Sequence, residues 1–291
     1  MAQEIKKYTF SKKTDIQIEV VPLNTLTTEK RPHLVNPHRT NFYHIFLFKN
    51  CQPKHLVDFK SIHVKPYSIL FIDKERVHQF DQLLHYDGDV IIFTDNFYCQ
   101  TENDIQFLKG SYLFNDIQDN CLLTLEPNSF QKLYHISKEI DEEIKQFDSK
   151  TSPTILKNLL QNFLLTAERE KSKNGNISFE KNMDFEYSTL FKDLIERHYK
   201  TKRNVAYYAQ QLAISERRLG QATHLFFGKL PKEMINERLT LEAKRLLVYG
   251  NHSIKEIAYD LGFEEPTNFI KYFKNQTSQT PLEFREIHLK K

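Results

Sequence analysis

Two short stretches near the C-terminus carry side chains able to read the edge of a nucleic acid. In "ERRLGQATH", Arg217, Arg218, Gln221 and His224 fall on one side of a helical period, and in "PTNFIKYFK" so do Thr267, Asn268, Lys271 and Lys274. Arginine offers two parallel donors to guanine, Gln and Asn pair with adenine, and a threonine methyl meets thymine. Lysines such as Lys271 and Lys274 also reach phosphate, which positions a protein without specifying sequence. Leu219, Phe226, Phe269 and Phe273 fall on the opposite faces and are expected in a core, with Tyr272 open to either role.

Such residues read a groove only if something holds them outward. An internal repeat of about fifty residues supplies that support. "VAYYAQQLAIS" aligns with "IKEIAYDLGFE", so that Val205 matches Ile254, Ala209 matches Ala258 and Leu212 matches Leu261. After one inserted residue, Leu219 pairs with Phe269, Pro231 with Pro281 and Glu233 with Glu283. Each copy reads as a short helix with a small residue at the crossing point, a tight turn and a second helix. Gly262 stops the first helix of the second copy. Pro266 starts the next, because the N–H it lacks would be unpaired at that position anyway. Glu265 is then the N-cap, and a long helix, Pro231–Tyr249, joins the two copies.

Charge agrees with a polyanion partner for this region. Of the 41 Lys+Arg and 38 Asp+Glu, the stretch from Ser188 onward holds 18 and 12, leaving a slightly acidic body before it. A chain of 291 residues can bury two cores. No apolar run approaches the roughly 20 residues of a membrane span, and the N-terminus lacks a signal-peptide apolar region. Cys51, Cys99 and Cys121 are dispersed and odd in number, which fits reduced cytoplasmic thiols.

The stretch from about Glu186 to Ile287 resembles the double helix-turn-helix DNA-binding domain of AraC/XylS-type transcription regulators. The resemblance rests on "VAYYAQQLAISERRL", "ERLTLEAKRLL", "SIKEIAYDLGFEEPTNFIKYFK" and "TPLEFR". It implies that Ser215–Phe226 and Pro266–Asn275 are recognition helices, each entering a major groove about one DNA turn, roughly 34 Å, from the other. It further implies promoter DNA, RNA polymerase, a small organic effector and a second copy of the chain as partners. Two residues depart from the family pattern. Ser278 stands where glycine is usual, so the turn before Pro281 is expected to be strained or differently shaped. Gly220 replaces a larger polar residue within the first recognition helix.

The N-terminal part is strand-like up to about Tyr112, with "NFYHIFLF", "YSILFI" and "DVIIFT" separated by turn residues, which suggests a small barrel or sandwich rather than a parallel sheet. In the first of these, His44, Phe46 and Phe48 share one face, and Tyr43, Ile45 and Leu47 the other. The segment resembles the cupin-like effector domain common in the same family, which implies a small β-barrel over residues 1–170. Two helices complete that domain. One carries the stripe Phe130, Leu133, Ser137, Ile140, Ile144 and Phe147 with Asn128 as N-cap, and the other begins near Pro153. A polar stretch around Gly175 is the linker, 171–186, before the helical domain 187–291. Candidate pocket residues are His44, Phe46, Phe48, His78 and Phe80, which would equally fill a small barrel's core.

His38, His44, His55, His63 and His78 invite a metal reading. The compact His-x-His pattern of metallocupins is missing at His44-Ile45-Phe46, so neither metal nor cofactor is expected. No nucleophile motif, phosphate-binding glycine loop or close carboxylate pair is visible, and a regulator rather than an enzyme is the expectation. The alternatives are a cupin-type metalloenzyme fused to a DNA-binding tail and an architectural DNA-binding protein without an effector.

Overall fold

The computed structural model describes residues 5–10, 16–29, 34–81, 86–111, 113–114, 121–173 and 183–289. The chain divides into two compact units, Lys6–Phe179 and Glu180–Lys291. Helix runs from Ser152 to Lys173 and again from Met183, so both ends of the expected linker are helical, and residues 174–182 lie outside the described residues. Among the described residues no helix is long and apolar enough to cross a membrane.

In the first unit, strands β1 (Lys6–Tyr8), β3 (His38–Thr40), β8 (His78–Gln79), β5 (Lys54–Val57) and β6 (Lys60–His63) form one sheet in that spatial order. Strands β10 (Leu122–Thr124), β7 (Ser68–Ile72), β4 (Tyr43–Phe48), β9 (Gly88–Phe93) and β2 (Ile18–Pro22) form the other. The described strands thus make two five-stranded sheets. The chain leaves one sheet after Thr40 and joins the other at Tyr43, so β3 and β4 take their hydrogen bonds from different neighbours.

Strand β4 sits mid-sheet and is buried at every position, which explains its unbroken apolar run. Its even positions, His44, Phe46 and Phe48, lie opposite Ile72, Leu70 and Ser68 of β7. Phe46 and Phe48 pack with Val57, Phe80, Tyr86 and Val90 in a core to which both sheets contribute. Its odd positions, Tyr43, Ile45 and Leu47, join a second core with helices α4 (Pro127–Lys145) and α5 (Ser152–Lys173).

The stripe on α4 holds as far as Ile140, since Phe130, Leu133, Ser137 and Ile140 are buried and Ile144 packs partly against them. Two details differ from expectation. Glu126, not Asn128, occupies the N-cap and makes no side-chain cap bond, because Pro127 opens the helix. Phe147 lies past the helix end and is exposed. The short helices α1 (Leu23–Glu29), α2 (Asp95–Tyr98) and α3 (Glu102–Gly110) complete the described helices of this unit, α3 with a full capping box from Thr101 and Asp104.

The second unit is helical: α6 (Met183–His198), α7 (Val205–Gln211), α8 (Glu216–Phe227), α9 (Pro231–Tyr249), α10 (Ile254–Asp260), α11 (Pro266–Thr277) and α12 (Pro281–Leu289). The repeat is visible in its backbone. Ile214 N–H donates to the Ala209 carbonyl at 3.0 Å, and Phe263 N–H donates to Ala258 at 2.9 Å. The left-handed turn residue is Ala213 (φ +53°) in the first copy and Gly262 (φ +78°) in the second. Gly228 (φ +63°) ends α8 and Ser278 (φ +62°) ends α11 with the same cap bond, to His224 and Lys274 respectively. Ser278 therefore does a glycine's work with a Cβ in place. At Gly220, by contrast, a Cβ would meet nothing within 4 Å, so packing does not require the glycine.

These backbones give opposed expectations for thermal unfolding. Ser278→Gly should stabilise the unit by about 0.5–1 kcal/mol, relief of left-handed strain exceeding the added chain entropy. Gly262→Ala should cost about 2 kcal/mol or more, since its Cβ would fall 2.3 Å from the Lys200 carbonyl oxygen at a positive φ. Separately, Gly220→Ala should raise stability by up to about 1 kcal/mol through helix propensity, and a lowered melting temperature would contradict this.

Candidate functional site

Each outward helix of the repeat is set by its cap and its buried face. Ser215 Oγ accepts from Arg218 N–H at 3.1 Å and starts α8. Glu265 caps α11 without a side-chain bond, and Pro266 occupies the first turn, as the sequence predicts. Leu219, Phe269 and Phe273 are fully buried. Phe227 takes the buried place expected of Phe226, which is half-buried with its ring edge-on to Phe185 at 5.5 Å. The helices run over Glu216–Phe227 and Pro266–Thr277, one or two residues longer than predicted at their C-terminal ends.

With these inner faces anchored, Arg217, Arg218, Gln221 and His224 are exposed on α8, and Thr267, Asn268, Lys271 and Lys274 are exposed on α11. The two groups differ in how free they are. The Arg218 guanidinium is paired with Asp184 of α6 at 2.8 Å. Periodicity places Arg218 on the outer face but says nothing about a carboxylate 34 residues earlier.

Tyr272 faces inward. Its hydroxyl donates to the Asn236 carbonyl at 2.9 Å and lies 3.2 Å from Thr240 Oγ1, tying α11 to the joining helix α9. The C-terminal helix is held in a similar way. Arg285 Nε donates to the Leu247 carbonyl at 3.0 Å, and Nη2 donates to the His252 carbonyl at 2.7 Å. These bonds close α12 against the end of α9, so the second copy is braced on both sides.

The first unit holds a different concentration of chemistry. His38, His44, His55 and His78 are all buried and gathered between the sheets. His55 Nε2 and His78 Nδ1 are 3.2 Å apart, and the rings of His38 and His44 lie 4.3 and 4.8 Å from that of His78. Loss of hydration and the neighbouring histidines hold His44 and His78 well below the ordinary histidine range, with Arg76 adding to the effect on His78. Burial lowers His38 too, and pushes His55 down to about 3. The cluster is thus a group of neutral imidazoles. Nδ1 of His44, Nδ1 of His55 and Nε2 of His78 have no hydrogen-bond partner among the described residues.

His63 stands apart, exposed on β6. Alternation along β4 could place His44, but only the pairing of β3, β5 and β8 brings in His38 and His55. No group of three or more His, Cys, Asp or Glu among the described residues is arranged to hold a metal ion.

The five candidate pocket residues lie in this same region. His44 stacks on Phe46 at 5.4 Å, and Phe46 meets Phe48, His78 and Phe80 with centroids 5.5–6.1 Å away. All five side chains are buried and pack on one another. A hollow of about 840 Å³ opens elsewhere in the unit, lined by polar residues including Gln17, Asn41, Lys74 and Asp95. Cys51, Cys99 and Cys121 are free thiols.

The duplicated helix pair has known counterparts. A family model described as a helix-turn-helix domain matches residues 208–287. The HTH-type transcriptional activator RhaS of Salmonella schwarzengrund is 23% identical over 239 residues, 78% of this chain and 81% of that protein. Histidine kinase P4 of Formosa agariphila is 25% identical over 173 residues, and the chain spans only 12% of its length. Among solved structures, ToxT from Vibrio cholerae aligns with a TM-score of 0.43 at 19% identity, covering 93% of this chain and 94% of its own. The helix-turn-helix match falls on the repeat itself, and the likeness to RhaS, a transcriptional activator, runs through most of both chains.

Proposed function

We propose that the chain regulates transcription by laying α8 and α11 into successive major grooves of a promoter, reading sequence with both. One observation carries the reading. Eight polar or basic side chains stand exposed on two repeat-related helices whose opposite faces are buried. Arg217 and Gln221 on α8, with Thr267 and Asn268 on α11, have the donors and methyl group that base edges require. Lys271 and Lys274 suit phosphate. Arg218 contributes only by sharing or releasing its bond to Asp184.

The first unit is, in this reading, a cupin-like sensor for a small organic effector. What supports it is the two-sheet enclosure around a core of histidines and aromatics. An effector there would enter by moving Phe46 or Phe80, because His44, Phe46, Phe48, His78 and Phe80 already touch. The regulator is read as a cytoplasmic homodimer that acts with RNA polymerase. Ile155 and Leu165, left exposed on α5, are the apolar side chains offered for the dimer.

Two measurements follow. Arg217→Ala and Lys271→Ala should each weaken binding about tenfold, on the duplex the protein selects from a random library, with the melting temperature unchanged. If Lys271 binds phosphate, its variant also lowers the salt slope by about one and loses affinity evenly across sequences. Retained affinity in both variants at fixed salt would refute the assignment.

The second concerns acid. Buried neutral histidines have folded pKa values below the unfolded value of roughly 6.5. Above that pH neither state takes up a proton. Below it the unfolded chain does while the native one resists, so stability falls as pH falls. The first unit should therefore unfold at progressively lower temperature from pH 7 to pH 5 in calorimetry, and His55→Gln should flatten that trend.

A further inference from the structure

Most of the contacts that hold the two helix-turn-helix copies together are made through α9. A second connection bypasses that helix. The segment Lys200–Asn204, which leads into the first copy, is docked on the turn of the second. Arg203 is its centre. Its Nη2 donates to the Leu261 carbonyl at 2.7 Å, and its guanidinium lies 3.7 Å over the ring of Phe263. Its own carbonyl accepts from Lys232 Nζ at 2.8 Å.

The surrounding fit is close. Gly262 approaches the Lys200 carbonyl so nearly that a Cβ there would collide with it, and Lys200 Nζ pairs with Asp260 at 2.9 Å. Phe263 in turn packs on Phe269 and Tyr272 of α11, each at 5.4 Å. One side chain thus stands two residues before α7 and one ring away from the recognition helix of the other copy.

We infer that Arg203 is a positioning residue that sets the separation and angle of α8 and α11, and so fixes how many base pairs the protein accepts between its two half-sites. The inference rests on the DNA-binding reading above. The physical ground is that a guanidinium stacked on an aromatic face while bonded to a carbonyl resists both sliding and rotation. A lysine could keep the charge but not the flat stack. Inserting one base pair turns one half-site by about a tenth of a turn relative to the other. A rigid pair of copies must pay for that mismatch, whereas a loosened pair can follow it.

The test uses the full chain and the duplex it selects from a random library, remade with one base pair added or removed between the half-sites. Binding is measured at fixed salt for the wild type, Arg203→Ala and Arg203→Lys. The wild type should prefer its own spacing by about tenfold or more. Both variants should reduce that preference to within about threefold while losing less affinity at the best spacing.

A spacing preference unchanged in both variants would overturn the inference, whatever happens to overall affinity. A uniform loss at every spacing with a smaller salt slope would also overturn it, making Arg203 a phosphate contact. If Arg203→Ala fails to fold, Arg203→Lys decides alone. Failure of the wild type to select any sequence would instead refute the DNA-binding reading itself.

Discussion

The left-handed residue between the two helices of each copy, Ala213 and Gly262, constrains the second unit more than any other feature. It lets the chain reverse within a few residues, and it brings Ile214 and Phe263 back to bond the carbonyls of Ala209 and Ala258. Once the crossing is fixed there, the following helix has no freedom about which face it buries. Leu219 and Phe269 go inward, and the polar residues between the apolar ones go out. The outward face is therefore a consequence of turn geometry. The cost falls unequally on the two copies, because only the second has a glycine at the turn and only the first has one at the helix end. Ala213 and Ser278 hold left-handed backbones with a Cβ attached.

Around that constraint the second unit is braced by hydrogen bonds from side chains to distant carbonyls. Tyr272 reaches Asn236, Arg203 reaches Leu261, and Arg285 reaches Leu247 and His252. Each occupies a carbonyl near a helix end or crossing while spanning elements far apart in sequence. Such bonds add direction to a core whose apolar contacts are nonspecific in angle. Direction is what holds two helices at a set angle to one another.

The first unit solves a different problem. Strand β4 is covered on both faces, by the other sheet on one side and by α4 and α5 on the other, so polar groups on it have no route to water. His44 consequently shares its surroundings with three more histidines; burial lowers the pKa of all four, and neighbouring histidines add to the effect on His44, His55 and His78. The same enclosure buries the apolar stripe of α4 against its own sheet, so Phe130, Leu133, Ser137 and Ile140 are not on the surfaces open to a second copy.

Much of this was legible in the sequence because it is periodic and local. The repeat, the stop at Gly262, the start at Pro266, the two faces of β4 and the exposed polar set on α8 and α11 all follow from spacing within one element. The αL positions could be suspected from Ser278 standing where glycine is usual. Spacing does not report which distant group lies across from a side chain. The pairing of Arg218 with Asp184, the inward turn of Tyr272, the docking of Arg203 on Phe263 and the recruitment of His38 and His55 depend on contacts between separate elements. Neighbouring residues of like type, such as Phe226 and Phe227, also differ by a single step of helical phase that only packing settles. The sequence by itself determined which faces are buried and which are left outward, because helix and strand periods are intrinsic to the chain. Tertiary structure alone decided how those faces are held at fixed angles, because that requires groups brought together across tens of residues.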